Sequence, residues 1–244
     1  MNTIVSQAVE EVNTLASTRN GEHIATGEIR KLSARLYRKI EDKTIGNILD
    51  LCEELLEERS WALGVIAFDW AYRVKKQYDE NTYDVFYGWL KKYVRGWGDC
   101  DDFCTHAFGE LLRQDKSLFK KVKQWTGDED FWVRRASAVV LIPAILHNDY
   151  DTIAPFEISD ALMSDQHDLV QKGYGWMLKC LSQVDMEEVK IYLIANCKKM
   201  PRTAYRYALE KFDKQTRSEL MKLYGISCNK SAGDKEDKYA EDKQ

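Results

Sequence analysis

The chain has 244 residues, 44% of them hydrophobic, enough for a buried core, and a formal charge of −4. No stretch approaches the roughly 18 apolar residues of a membrane span, and the first residues show no basic segment followed by an apolar one, so a soluble cytoplasmic protein is expected. Six cysteines scattered through a chain of this size speak against a disulfide scaffold and for reduced thiols. The net acidity counts against nucleic-acid binding by the chain as a whole. Its distribution is polarised, however: residues 170–217 carry ten Lys or Arg against five Asp or Glu, whereas 41–58 is acidic around Glu53, Glu54, Glu57 and Glu58.

With three prolines and thirteen glycines, and without the alternation that strands require, the chain reads as almost wholly helical. Ile4, Val5, Ala8, Val12 and Leu15 have the spacing of a packing helix, although the first dozen residues are open to fraying. From Asp50 to Tyr78 apolar residues recur at helical intervals, predicting one helix that ends near Glu58 and another after it. Thr82–Val94 is the next predicted helix. Gly96 and Gly98 break it, and a new helix is expected to start near Asp101 and carry Phe103, Ala107, Phe108, Leu111 and Leu112 inward.

Further helices are expected at 117–125, 131–146, 154–164, 168–182, 186–197 and 201–212, joined by short polar connections. Val133-Arg-Arg135-Ala lies over Val170-Gln-Lys172-Gly at a separation of 37 residues, and a shorter third copy runs from Met200. A period of this size is that of HEAT-type repeats. The expected fold is therefore all-α, a curved superhelix of HEAT-like helix pairs over 1–227 with an extended groove, followed by a disordered charged tail over 228–244.

The densest cluster of chemistry is Trp97-Gly-Asp-Cys-Asp-Asp102. Read as structure, Asp99 caps the following helix and Asp102 sits in its first turn, where a carboxylate suits the helix dipole. Read as function, Asp102 faces the groove, kept ionised by backbone N–H groups and a nearby Arg135, the state that stabilises a positively charged sugar. Arg134 and Arg135 open a later helix. One of two neighbours must point elsewhere, and Arg135 is assigned to DNA phosphate while Arg134 is left to the scaffold.

Five tryptophans, Trp61, Trp70, Trp89, Trp125 and Trp132, read as core or helix-interface residues. Trp176 differs by its neighbours Gly173 and Gly175, which suggest close approach of a partner on that face. Cys100-x3-Cys104-x-His106 has the look of a metal site but lacks a second ligand pair, so no metal and no cofactor are expected. No phosphate loop, nucleophile elbow or HExxH stands elsewhere.

Taken in order and spacing, Trp97-Gly-Asp-Cys-Asp-Asp102, Phe131-Trp-Val-Arg-Arg135-Ala, Lys172-Gly-Tyr-Gly-Trp176-Met-Leu-Lys and Pro201-Arg-Thr-Ala-Tyr resemble the AlkD-like DNA alkylation repair glycosylases, over roughly Gly27 to Phe212. The resemblance implies a glycosylase that hydrolyses the N-glycosidic bond of cationic purines such as 3-methyladenine or 7-methylguanine in duplex DNA; the absence of a clearly placed lysine nucleophile makes it monofunctional, and a monomer is the default expectation. The resemblance implies Asp102 as the catalytic carboxylate and Arg135, Trp176, Trp97, Lys172 and Arg202 as DNA contacts. It also implies a route in which the backbone of the damaged nucleotide is gripped and the base need not enter a pocket.

This chain departs from the pattern at Gly98, where some members carry a second tryptophan, and around Thr26-Gly-Glu-Ile-Arg30, which lacks a proline often found there. Members without the active-site residues exist, and the presence of Asp102, Arg135 and Trp176 argues against that branch. The competing reading is a non-enzymatic helical-repeat scaffold for nucleic acid or a protein partner. A carboxylate in a phosphate-binding groove discriminates the two, because a scaffold has no use for it there.

Overall fold

The computed structural model describes residues 2–18 and 24–225, so the predicted tail at 228–244 lies outside the described residues. Among the described residues the ordered elements are all helical. They are α1 (Thr3–Thr18), α2 (Thr26–Lys39), α3 (Ile45–Glu57), α4 (Trp61–Arg73), α5 (Thr82–Tyr93), α6 (Trp97–Thr105), α7 (Ala107–Gln114), α8 (Phe119–Gln124), α9 (Phe131–Val139), α10 (Ile142–Leu146), α11 (Pro155–Leu162), α12 (Asp168–Leu181), α13 (Met186–Asn196) and α14 (Arg202–Ala208), with a further helical stretch at 214–225.

Successive packing of α2 on α4, α4 on α6, α6 on α9, α9 on α12 and α12 on α14 makes one continuous layer. Side-chain bonds repeat across it at about one repeat length. Ser33 reaches Asp69, Trp89 reaches Glu53, Arg135 reaches Asp101, Lys123 reaches Glu157 and Tyr192 reaches Asp160, at separations of 36, 36, 34, 34 and 32 residues. These cross-repeat bonds are the physical counterpart of the 37-residue overlay. One hydrophobic core runs through the stack from Val5 to Leu220. Trp70, Trp89, Trp125 and Trp132 are buried in it, and the first three donate their indole N–H to Ser33 O, Glu53 Oε2 and Tyr83 Oη, so the polar edge of each ring is satisfied. No described helix is long and apolar enough to cross a membrane.

Two boundaries differ from expectation in ways that move side chains. The helix predicted over 131–146 is broken between Val139 and Ile142. Pro143 has no N–H to give to Val139 O, and its ring collides with the carbonyl four residues back, so α9 stops there and α10 sets off anew. The helix expected near Asp101 instead begins at Trp97, with Gly96 as its N-cap and Gly98 inside its first turn. Asp99 turns back to accept from the backbone N–H of Arg95, the residue before the N-cap, at 3.3 Å, which ties the helix start to the preceding connection. Asp102 is thereby displaced from the first turn into the second.

Candidate active site

At 100° per residue, a helix starting at Trp97 puts Trp97, Asp101 and Thr105 on one stripe, with Asp102 rotated well to its side. The exposures follow this geometry. Trp97 is 65% exposed, and the side chains of Asp101 and Asp102 are 20% and 11% exposed. Both carboxylates line a pocket of about 640 Å³ between α4 and the start of α6, floored by Leu56, Val65, Phe68 and Tyr93 and walled by Trp61 and Trp97.

The partners of the two aspartates differ. Asp101 receives Arg135: Nε and Nη2 both donate to Oδ1, at 2.9 and 2.7 Å, and Nη2 also donates to Oδ2 at 2.9 Å. Arg135 Nη1 donates to Leu169 O at 2.5 Å. Asp102 Oδ1 is held by Arg30, with the His106 ring close by, while Asp102 Oδ2 is buried and bonded to nothing. Burial raises the pKa of both carboxyls above the ordinary value, opposed in Asp101 by Arg135 and in Asp102 by Arg30 and His106. Arg135 therefore braces Asp101, not Asp102 as expected, and backbone N–H groups of a helix start do not surround Asp102.

The same geometry encloses Arg135, the residue assigned to phosphate. Its side chain is 6% exposed and each of its nitrogens is bonded within the protein. A guanidinium so enclosed presents its fork to DNA only by giving up Asp101, whose side chain is 20% exposed. Arg134 is tied to Asp165 and to the carbonyls of Asp128 and Glu129.

Further along the layer, α12 turns Asp168, Lys172, Trp176 and Lys179 outward on one stripe. Lys172 is ion-paired with Asp168 at 2.5 Å, and Trp176 is half-buried, packed in part against the core. The glycines beside Trp176 serve a purpose other than the one expected of them. A Cβ at Gly173 would stand 3.0 Å from Arg135 Cγ, and one at Gly175 would stand 2.8 Å from both Ala204 O and Tyr207 Cβ. They admit α9 and α14 against α12, so the close approach they permit is between helices and not with a DNA backbone. Next to this stripe, α14 presents Arg202 and Arg206 to solvent. Neither has an ion-pair partner among the described residues, and Arg206, which sequence reasoning did not single out, lines a shallow cleft with Lys172.

Trp61 is the other residue that was missed. It was expected in the core or at a helix interface; it packs half-buried against the core and also forms a wall of the pocket. A Cβ at Gly98 would lie 3.0 Å from its Nε1. The indole of Trp61 thus occupies the space that a side chain at 98 would need, which accounts for glycine there. Its only sequence signal is its place at the start of α4, at the same end of the layer as Trp97 at the start of α6. Cys100 and Cys104 point into the core, and burial pushes the Cys104 thiol well up, so neither faces the pocket as a ligand would.

No curated relative matches the sequence. The fold is similar to that of a solved protein described as a predicted DNA alkylation repair enzyme from Enterococcus faecalis, with a TM-score of 0.62 at 14% identity over 85% of this chain and 96% of that one. The family described as DNA alkylation repair enzyme matches residues 22–212. With most of its length matched, from the second helix to the end of the basic stripe, the chain belongs to the DNA alkylation repair enzyme family.

Proposed function

We propose that the protein is a monofunctional DNA glycosylase that hydrolyses the N-glycosidic bond of cationic alkylpurines, such as 3-methyladenine and 7-methylguanine, in duplex DNA. It acts as a cytoplasmic monomer without a cofactor. The observation that carries this reading is Asp101, clamped by Arg135 on the same exposed stripe as Trp97 at the mouth of a largely apolar pocket. An alkylated purine already carries positive charge, so its departure needs little help from a general acid. The remaining demand is to stabilise an oxocarbenium-like sugar, which a fixed carboxylate in a partly desolvated site meets. Arg135 holds the carboxylate in place, and water oriented by Asp101 supplies the nucleophile.

The sequence alone assigns this role to Asp102, by resemblance. The geometry favours Asp101, because one oxygen of Asp102 is committed to Arg30 and its side chain is recessed to the side of the outward stripe. Trp97 lies against the sugar, and Lys172, Trp176, Arg202 and Arg206 receive the DNA backbone beyond the site. Single-turnover release of 7-methylguanine from methylated duplex DNA tests the reading. Asp101→Asn is expected to slow release by about 10²–10³-fold with DNA binding retained. Wild-type release by that variant overturns Asp101, and loss confined to Asp102→Asn restores the sequence-based assignment. No release by the intact protein leaves the scaffold reading.

A further inference from the structure

Away from the layer that carries the site, α13 has apolar residues on both of its faces. Val189 and Leu193 are buried on one, whereas Ile191 and Ile194 on the other are 60% and 43% exposed. Among the described residues no other helix exposes two large hydrophobic side chains. The helix is fixed in place. Asp185 caps it by accepting from Glu188 N at 2.9 Å, and Tyr192 stacks on Phe156 of α11, ring centres 4.5 Å apart, while its Oη donates to Asp160 at 2.7 Å. A contiguous apolar stripe on a rigid helix marks an interaction surface, as exposed residues scattered singly do not.

The order of charge along the stripe decides what fits it. At 100° per residue, Glu187, Glu188, Ile191, Ile194, Ala195 and Lys198 share the outward face, and all of them are exposed. Acid stands at the start of the helix, and Lys198 and Lys199 stand just past its end. Glu187 lies 3.8 Å from Lys190 of its own helix, and neither Lys198 nor Lys199 has an ion-pair partner among the described residues. A twofold axis passing between Tyr192 and Leu193 turns this order onto itself: Ile191 of one copy meets Ile194 of the other, and Glu187 meets Lys198. Antiparallel helices also oppose their dipoles favourably, whereas a parallel pair would set Glu on Glu and Lys on Lys.

We propose that the outward face of α13 is a self-association surface, on which a second copy of the chain docks its own α13 antiparallel about that axis. One helix stripe against another covers less than the roughly 1,200 Å² of a stable interface, so the association is reversible and grows with concentration. The inference goes beyond the glycosylase reading and does not depend on it. Asp101 and the basic stripe belong to the succession α2, α4, α6, α9, α12 and α14, and α13 stands outside it, so each chain keeps its own site and acts singly whether paired or not.

Sedimentation velocity of the full chain, from about 1 μM to about 500 μM, tests the pairing. The intact protein is expected to move from monomer toward dimer across that range. Ile191→Glu combined with Ile194→Glu, at exposed positions that leave the core untouched, is expected to weaken association at least about a hundredfold. Glu187→Lys and Lys198→Glu are each expected to weaken self-association about tenfold, because each sets like charges together in the pair. Mixed one to one, these two variants are expected to recover the strength of the intact chain, since every such contact then joins opposite charges. Thermal melting establishes that each variant is folded. A chain that stays monomeric at about 500 μM overturns the proposal and leaves the stripe to a different protein. A dimer that survives in the folded isoleucine double variant overturns it too, as do charge variants that associate like the intact chain or fail to restore each other when mixed. Base release from methylated DNA is indifferent to all of these outcomes and is judged separately.

Discussion

The two ends of the helical layer differ in kind. At α4 and α6 the face is a chamber: apolar floor, half-buried indole, carboxylates held by a buried Arg135 and a partly buried Arg30. At α12 and α14 it is an open surface where Lys172, Arg202 and Arg206 meet solvent. Both ends carry arginine and tryptophan, so residue type does not separate them. Enclosure does. An arginine bonded on every side, as Arg135 is, serves to hold another group still, whereas one like Arg206 remains available to an anion. On this reading the chain separates its tasks along the stack, with chemistry at the acidic chamber and backbone capture at the basic stripe.

The sharpest way to break this division is to exchange the phenotypes of its two ends. Asp101→Asn is expected to lower the single-turnover rate about 10²–10³-fold at unchanged affinity, since the group acts on charge that develops only in the transition state. Arg202→Ala combined with Arg206→Ala is expected to do the reverse: affinity falls at all sequences, the slope of log affinity against log salt shrinks by about 2, and the saturated rate is kept. A rate loss from the double variant at saturating protein would show that the basic stripe takes part in the chemistry.

Trp176→Ala sits between these extremes. A fully buried tryptophan would cost roughly 3–5 kcal/mol, and a half-buried one less, about 1–2 kcal/mol, so the variant is expected to stay folded at 25 °C and to lose DNA affinity. A melting temperature lowered as far as for a core tryptophan, with affinity intact in the folded fraction, would move Trp176 to the core.

The smallest expected effects concern pH. Burial raises the folded-state pKa of Asp99, Asp101 and Asp102 above the ordinary value near 3.8. Their contribution to stability is therefore complete below the unfolded pKa and is lost as pH rises through the folded one. Asp99→Asn, which keeps an acceptor for Arg95 N, is expected to flatten the fall of melting temperature across that window. Excision runs the other way: it requires ionised Asp101 and is expected to fail on acidification at a pH above that of an ordinary aspartate. Activity that persists down to pH 3.8 would argue that another group carries the charge.

Much of this arrangement was legible in the amino-acid order. Helical spacing of apolar residues located α3, α4, α5, α11, α12 and α13 to within a few residues, with the main exception the start of α3, because burying one face of a helix leaves a periodic trace. The 37-residue overlay anticipated neighbouring helices, since each repeat must cover the last one's apolar face. The cluster around Trp97 marked the right segment. What failed was finer than an element. Glycines at 96 and 98 suggested a break, but Gly96 is an N-cap and Gly98 makes room for Trp61, so the helix began four residues early. The earlier start adds about one turn and leaves Asp101 and Asp102 100° apart, so which of the two stands on the stripe of Trp97 follows from the four-residue spacing of Trp97 and Asp101.

The sequence by itself determined the all-helical class, the repeat and the family likeness, because these depend on spacing within a segment and on the order of segments. Only the tertiary structure decided which arginine is enclosed and which is free, that Trp61 from one repeat walls a pocket with Trp97 from the next, and that one oxygen of Asp102 is left unpaired. Those facts join residues about 34 to 36 positions apart or more, as with Asp101 and Arg135 or Trp61 and Gly98. Burial and pairing of a charge are set by what the neighbouring repeat brings to it, and no local pattern along the chain records that.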